Sequence, residues 1–183
     1  PGRRPAYLAR QLCDGGSDLV QLRAKGSTAE EVLRWAGEIL PIPASAGVGL
    51  VINDFPAIAR QIGAPICHLG QEDFFEAGHT HVAQLAALDP SSAPLAIGLS
   101  THAPDQAIRA LAAGPDYLAI GPVYATGTKP KARPVPLDYV IWAAQNISLH
   151  WFAICGINLR NLDVVIADGA TRILGVSSIF NAP

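Results

Sequence analysis

Seven short runs rich in Val, Ile and Leu recur along the chain, each ending at a glycine or polar break: DLVQLR (18–23), VGLVIN (48–53), PICHLG (65–70), LAIGLS (95–100), YLAIGP (117–122), WFAICG (151–156) and RILGVS (172–177). Their hydrophobicity is nearly continuous rather than alternating. A strand with one wet face alternates, whereas a strand covered by helices on both faces does not need to, so the pattern predicts a parallel sheet. Between the runs the spacing turns helical. STAEEVLRWAGEIL (27–40) sets Ser27 and Glu30 at capping-box distance and carries Val32, Leu33, Ala36, Ile39 and Leu40 on one stripe. PDQAIRALAAG (104–114) begins on a proline and ends on a glycine, and PLDYVIWAAQN (136–146) and RNLDVVIADG (160–169) repeat the helical period. Residues 5–13 read as a helix leading into the first run.

A β/α alternation fits either a doubly wound sheet or a (β/α)8 barrel. The polar residues decide between them. They follow almost every strand: Gln21, Arg23 and Lys25; Asn53 and Asp54; Gln71 and Asp73; Ser100, Thr101 and His102; Gly156 and Asn158; Ser177 and Ser178. An open sheet concentrates its ligand at one switch point, whereas a ring of strands feeds a site from all sides, so an α/β TIM barrel is expected. Residues 1–183 are expected to form one barrel domain trimmed at both ends, lacking the first strand and the last helix; the absence of methionine fits a trimmed product.

Composition removes several function classes. The net charge of −2 is scattered, which gives no polybasic surface for nucleic acid. No run of about 18 apolar residues suggests a membrane span, and no charged n-region precedes an apolar stretch, so the cytoplasm is the expected location. Cys13, Cys67 and Cys155 are odd in number and lack CxxC spacing, which argues against disulfides or a thiolate zinc site.

Chemistry concentrates at the strand ends. In HLGQED (68–73) two acids follow an apolar run, which helix capping alone could explain. Asn53 and Asp54 follow the preceding run, however, and adjacent strands lie about 5 Å apart, so Asp54 and Asp73 are expected to converge. Two carboxylates at one point repel unless a cation separates them, and Mg²⁺ takes one or two carboxylates together with phosphate oxygens. Glu72 reads as a bystander. Arg23 and Lys25 in QLRAK and Lys129 in TGTKPKAR would complete a diphosphate clamp, although each alone reads as a solvated surface charge. Gly156 with Val176, Ser177 and Ser178 after the last strands matches the phosphate pocket frequent in barrels, and ATGTKPKARP (125–134) reads as a lid. His68 reads as a hydrogen-bonded core residue, and His102 stands at the mouth without a visible partner.

QLRAK, IND, HLGQED, LSTH, GPVYATGTKPKARPV, GIN and VSSI stand in the order and spacing of the thiamine phosphate synthase family, which the chain resembles over practically its whole length. The resemblance implies a (β/α)8 barrel that joins 4-amino-5-hydroxymethyl-2-methylpyrimidine diphosphate to 4-methyl-5-(2-phosphoethyl)thiazole. The products would be thiamine phosphate and pyrophosphate, and the cofactor Mg²⁺. It implies that Gln21, Leu22, Arg23, Ala24, Lys25, Asn53 and Lys129 hold the pyrimidine diphosphate and that Asp54 and Asp73 bind the metal. Ser100 would also contact this substrate, with Ser100 and Lys129 near the reacting centre. Thr126, Gly127, Thr128, Gly156, Val176 and Ser177 would hold the thiazole phosphate. Two small phosphorylated heterocycles are thus the expected partners. Three positions depart from the family pattern: Ala24 stands for a usual Glu, Cys155 for a frequent Gly, and Phe55 for a commonly polar residue. A thiazole tautomerase-like isomerase of the same barrel superfamily and a non-catalytic phosphate-binding barrel fragment are the competing readings; the acidic pair and the TxTK segment favour the transferase.

Overall fold

The computed structural model describes residues 4–86, 94–125 and 133–180. All seven apolar runs form strands: β1 Leu19–Leu22, β2 Gly49–Asn53, β3 Ile66–Gly70, β4 Ala96–Thr101, β5 Tyr117–Ile120, β6 Trp151–Ile154 and β7 Ile173–Leu174. Two compact units are present, one of residues 1–69 and 82–97 and the other of residues 70–81 and 98–183. The fold class is α/β with parallel strands, as the uninterrupted apolar runs require; an eighth strand is not among the described residues.

In the first unit β1, β2 and β3 run parallel in that order, with Gln21 beside Val51, Ile52 beside Cys67 and Asn53 beside His68. Helix α1 (Pro5–Asp14) starts on its proline; α2 (Ala29–Ile39) and α3 (Pro41–Ala46) pack against it, α4 (Pro56–Ile62) packs against α2, and α3 and α4 pack against β2. The capping box at α2 sits one residue later than the sequence spacing suggested. Ser27 N instead donates to Ala24 O and closes a turn, leaving Thr28 extended to accept from Glu31 N while Glu31 Oε2 accepts from Thr28 N. Val32, Ala36 and Ile39 then point inward from one face, the arrangement the stripe anticipated.

The second unit holds α5 (Gln71–Glu76), α7 (Pro104–Ala112), α8 (Leu137–Asn146), α9 (Leu162–Ala167) and α10 (Ser177–Phe180), while the short α6 (Ala83–Ala86) belongs to the first. Its strand order is β4-β5-β6-β7, all parallel. Thr101 aligns with Ile120, Ile120 with Ala153 and Ala153 with Ile173, so the segments leaving these strands emerge at one level. Helix α8 presents buried Tyr139, whose hydroxyl lies 2.7 Å from Thr101 Oγ1 and satisfies both groups in the interior. Helix α9 begins at Leu162 rather than near Arg160, because Asn158 N donates to Asn161 Oδ1 and Arg160 N to Asn158 Oδ1, forming a side-chain turn in place of a first helical turn. Among the described residues no helix is long and apolar enough to cross a membrane.

The core makes stability fall at alkaline pH. Cys67 is fully buried, and burial followed by the nearby Asp54 charge pushes its thiol up to about 12 from 9.0; burial also pushes the Tyr139 phenol up to about 12. The folded chain holds these protons more tightly than the unfolded one. This stabilisation is therefore complete below the unfolded values and is lost as pH rises from about 9 toward 12. For Cys67 the difference corresponds to roughly 4 kcal/mol, at about 1.4 kcal/mol per pH unit. Urea midpoints measured across that range should fall, and Cys67→Ala should flatten the portion that begins near pH 9.

Candidate functional site

In parallel α/β proteins ligands bind where strands end. At the ends of β1 and β2, Lys25 Nζ lies 3.6 Å from Asp54 Oδ2. Asp54 takes a left-handed backbone, with φ 68°, and its N–H donates to His68 O at 2.9 Å. Aspartate tolerates this conformation better than most residues, and the turn swings its carboxylate back toward the segment after β1. Asn53 is buried beside it at the last position of β2, and Gln21, Leu22, Arg23 and Ala24 are half-buried. Two sequence motifs thus meet in the first unit, QLRAK and IND, through Lys25 and Asp54. Phe55, one of the departing positions, is the residue preceding α4 and leaves this arrangement intact.

In the second unit GQED is a helix start. Gly70 caps α5, and Glu72 and Asp73 occupy its first turn, where carboxylates face the positive end of the helix. A Cβ at position 70 would stand 3.0 Å from Asp73 Oδ2, so the glycine leaves room for that carboxylate. Asp73 is exposed, and no side chain caps α5 through a hydrogen bond. Ser100 is buried near the end of β4.

The β6 end carries Cys155 and Gly156, both in the left-handed region, with φ 71° and 72°. Gly156 O accepts from Asn158 Nδ2 at 3.3 Å and Asn161 Nδ2 at 3.1 Å, and Tyr124 N donates to Cys155 O at 3.2 Å. A Cβ at 156 would stand 2.6 Å from Tyr124 Cβ and 2.7 Å from its carbonyl oxygen, so only glycine allows this approach. Val176 is exposed just before α10, and the side chain of Ser177 lies outside the described residues. So do Thr126, Gly127, Thr128 and Lys129.

Two residues set aside in the sequence turn out to be engaged. Nδ1 of His102 bonds to Gly121 O, and Glu72 Oε1 lies 3.8 Å from its Nε2. His102 therefore has a partner at the mouth, and Glu72 stands close to its other edge. No local spacing signals this, since Gly121 is nineteen residues from His102.

The chain matches the model of the family described as thiamine monophosphate synthase over residues 2–179. It belongs to that family. The thiamine-phosphate synthase of Thermus thermophilus is 43% identical over 171 residues, spanning 92% of this chain and 78% of the relative. That of Acidothermus cellulolyticus is 39% identical over 185 residues, covering 100% of this chain and 82% of the relative. Among solved structures, a thiamine phosphate pyrophosphorylase from Pyrococcus furiosus superposes with a TM-score of 0.83 at 24% identity, over 97% of this chain and 81% of that one, a likeness of fold. Family membership agrees with the motif order read from the sequence.

Proposed function

We propose that the chain condenses 4-amino-5-hydroxymethyl-2-methylpyrimidine diphosphate with 4-methyl-5-(2-phosphoethyl)thiazole, giving thiamine phosphate and pyrophosphate. The observation that carries the reading is the approach of Lys25 to Asp54 beside buried Asn53, a cation and an acid at the strand ends of a chain from this family. The paired charges neutralise each other until a ligand supplies both a phosphate for the lysine and a cation for the carboxylate.

In this reading Gln21, Arg23 and Lys25 receive the diphosphate, with Lys129 added from the TGTKPKAR segment, while Asn53 and Ser100 orient the pyrimidine. The C–O bond between the pyrimidine methylene and the diphosphate breaks, and its electron pair leaves with the diphosphate. Arg23 and Lys25 stabilise that growing charge, which is the part of the reaction where fixed cations are most effective. The thiazole nitrogen contributes its lone pair to the new C–N bond and needs no protein base. The amides of Gly156, Val176 and Ser177, with Thr126 to Thr128, hold the thiazole phosphate.

The carboxylates of Asp54 and Asp73 are hard oxygen donors of the kind Mg²⁺ takes one or two at a time, and the open surroundings of Asp73 leave room for water and phosphate oxygens in the remaining positions. When bound, Mg²⁺ would supply further positive charge at the leaving diphosphate. Such an ion takes the rest of its shell from water and substrate phosphate oxygens rather than from an all-protein cage. We further propose the eight-stranded barrel as the working form, supported by parallel strands in chain order and polar residues at their ends. The cytoplasm, with its reduced thiols, suits three cysteines that form no disulfide.

The test mixes both substrates with Mg²⁺ and follows pyrophosphate release for the unaltered chain and for Asp73→Ala. Metal-dependent release that falls about a hundredfold or more in the variant is expected, the order seen when one charge-stabilising group is removed. Equal rates with and without Asp73 or metal would sink the reading.

A further inference from the structure

The surroundings of His102 bring together the ends of β4 and β5 and the first turn of α5, all in the second unit. Its own N–H donates to Gln106 Oε1 at 2.8 Å, which fixes where the ring starts. Nδ1 reaches Gly121 O, and on the opposite edge Glu72 Oε1 stands 3.8 Å from Nε2. With Nδ1 turned to a carbonyl oxygen, Nδ1 carries the proton and donates. The ring is 28% exposed, so it is part of the packed end of the unit rather than a free surface group.

Gly121 opens a connection that is secured residue by residue. Its N–H donates to Thr101 O at 3.2 Å and its carbonyl accepts from His102, so both backbone groups are tied to the end of β4. Pro122 has no N–H, but its carbonyl accepts from Val135 N at 2.7 Å, where the chain returns. Val123 N donates to Ile154 O at 2.9 Å and Tyr124 N to Cys155 O, on the β6 side. Most of these ties are backbone to backbone and would form with many sequences. The tie from His102 is supplied by a side chain. Between Tyr124 and Val135 the sequence carries Thr126, Thr128 and Lys129, which the proposed function uses on both substrates.

We propose that His102 is a positioning residue for the coupling reaction: by donating to Gly121 O, it fixes the base at which the 121–135 connection leaves and returns, with the Gln106 bond to its own N–H holding the ring's starting point. This rests on the proposed function only for its catalytic consequence; the structural tie stands apart from it. Removing the donor leaves the Gly121 carbonyl without its side-chain partner and loosens the adjoining Pro122–Val135 bond, while leaving every strand intact.

Two variants separate the edges of the ring. In His102→Asn the side-chain amide nitrogen takes the place of Nδ1, and in His102→Gln it takes the place of Nε2. Hydrogen exchange is followed at Val135 N–H, with Ala153 N–H, bonded to Arg172 O at 2.9 Å, as the report on the fold. Pyrophosphate release is measured in parallel. His102→Asn should keep exchange at Val135 and kcat/KM within about threefold of the parent. His102→Gln should speed exchange and lower kcat/KM by about tenfold each, the size of one lost hydrogen bond, with Ala153 unchanged in both. Equal behaviour of the two variants, or better retention by Gln, would overturn the proposal. If the unaltered chain releases no pyrophosphate, the proposed function falls, and exchange at Val135 still decides the role of His102.

Discussion

Replacing Asp54 with asparagine should lower the rate of pyrophosphate release by on the order of a hundredfold or more while leaving the fold in place. Asparagine has the same shape and shares the tolerance for a left-handed backbone, so φ 68° at this position and the Asp54 N–H bond to His68 O survive the change. What disappears is the charge. The ion pair with Lys25 spans 3.6 Å, and the lysine side chain is 53% exposed, so its loss alone costs at most about 1 kcal/mol of stability. A large fall in turnover with an unchanged urea midpoint therefore separates ligand binding from structural pairing. Asp54→Ala is the less informative variant, because it adds backbone strain to the loss of charge. Steady-state rates at saturating substrates, beside equilibrium unfolding of both variants, check the expectation; turnover retained in Asp54→Asn would remove this carboxylate from the site.

Gly156→Ala is the second large effect, and it should damage folding and turnover together. An added Cβ would stand 2.6 Å from Tyr124 Cβ and 2.7 Å from the Tyr124 carbonyl oxygen, and backbone on the neighbouring segment cannot rotate aside as a flexible side chain would. The φ of 72° adds about 1 kcal/mol of its own for a residue with a Cβ. Together a loss of about 3 kcal/mol is expected, within the range for strain at a special backbone position. Relief would come only by pushing Tyr124 away, which would break its bond to Cys155 O and move the amides proposed to hold the thiazole phosphate. Chemical denaturation measures the first effect, and KM for the thiazole phosphate the second. A variant with parental stability and KM would show that the two segments separate without cost.

The parallel sheet was legible because burial on both faces writes itself into each strand as an unbroken apolar run, and all seven runs became strands. Register-level detail was less so. Ser27–Glu30 and Thr28–Glu31 satisfy the same capping pattern, and the turn from Ser27 N to Ala24 O, a backbone event, selects the second. Asn158 and Asn161 fit a helical period by position, yet their side chains compete for the backbone and delay α9. At the candidate site, the placing of Asp54 and Lys25 at strand ends was legible because strand ends of a parallel sheet share one level, whereas their approach to each other was not anticipated. The partners of His102 and Tyr139 were not, since they lie nineteen and thirty-eight residues away and only the fold brings them close.

The bond from Val135 N to Pro122 O also bears on how such a protein can vary. It joins the two ends of the connection between β5 and α8 by a backbone bond that no particular side chain has to supply. Lengthening a closed segment costs only about 0.6 kcal/mol for each doubling. A change of length between Pro122 and Val135 is therefore expected to cost little stability, which makes this connection a place where the sequence can vary without renegotiating the register of the sheet.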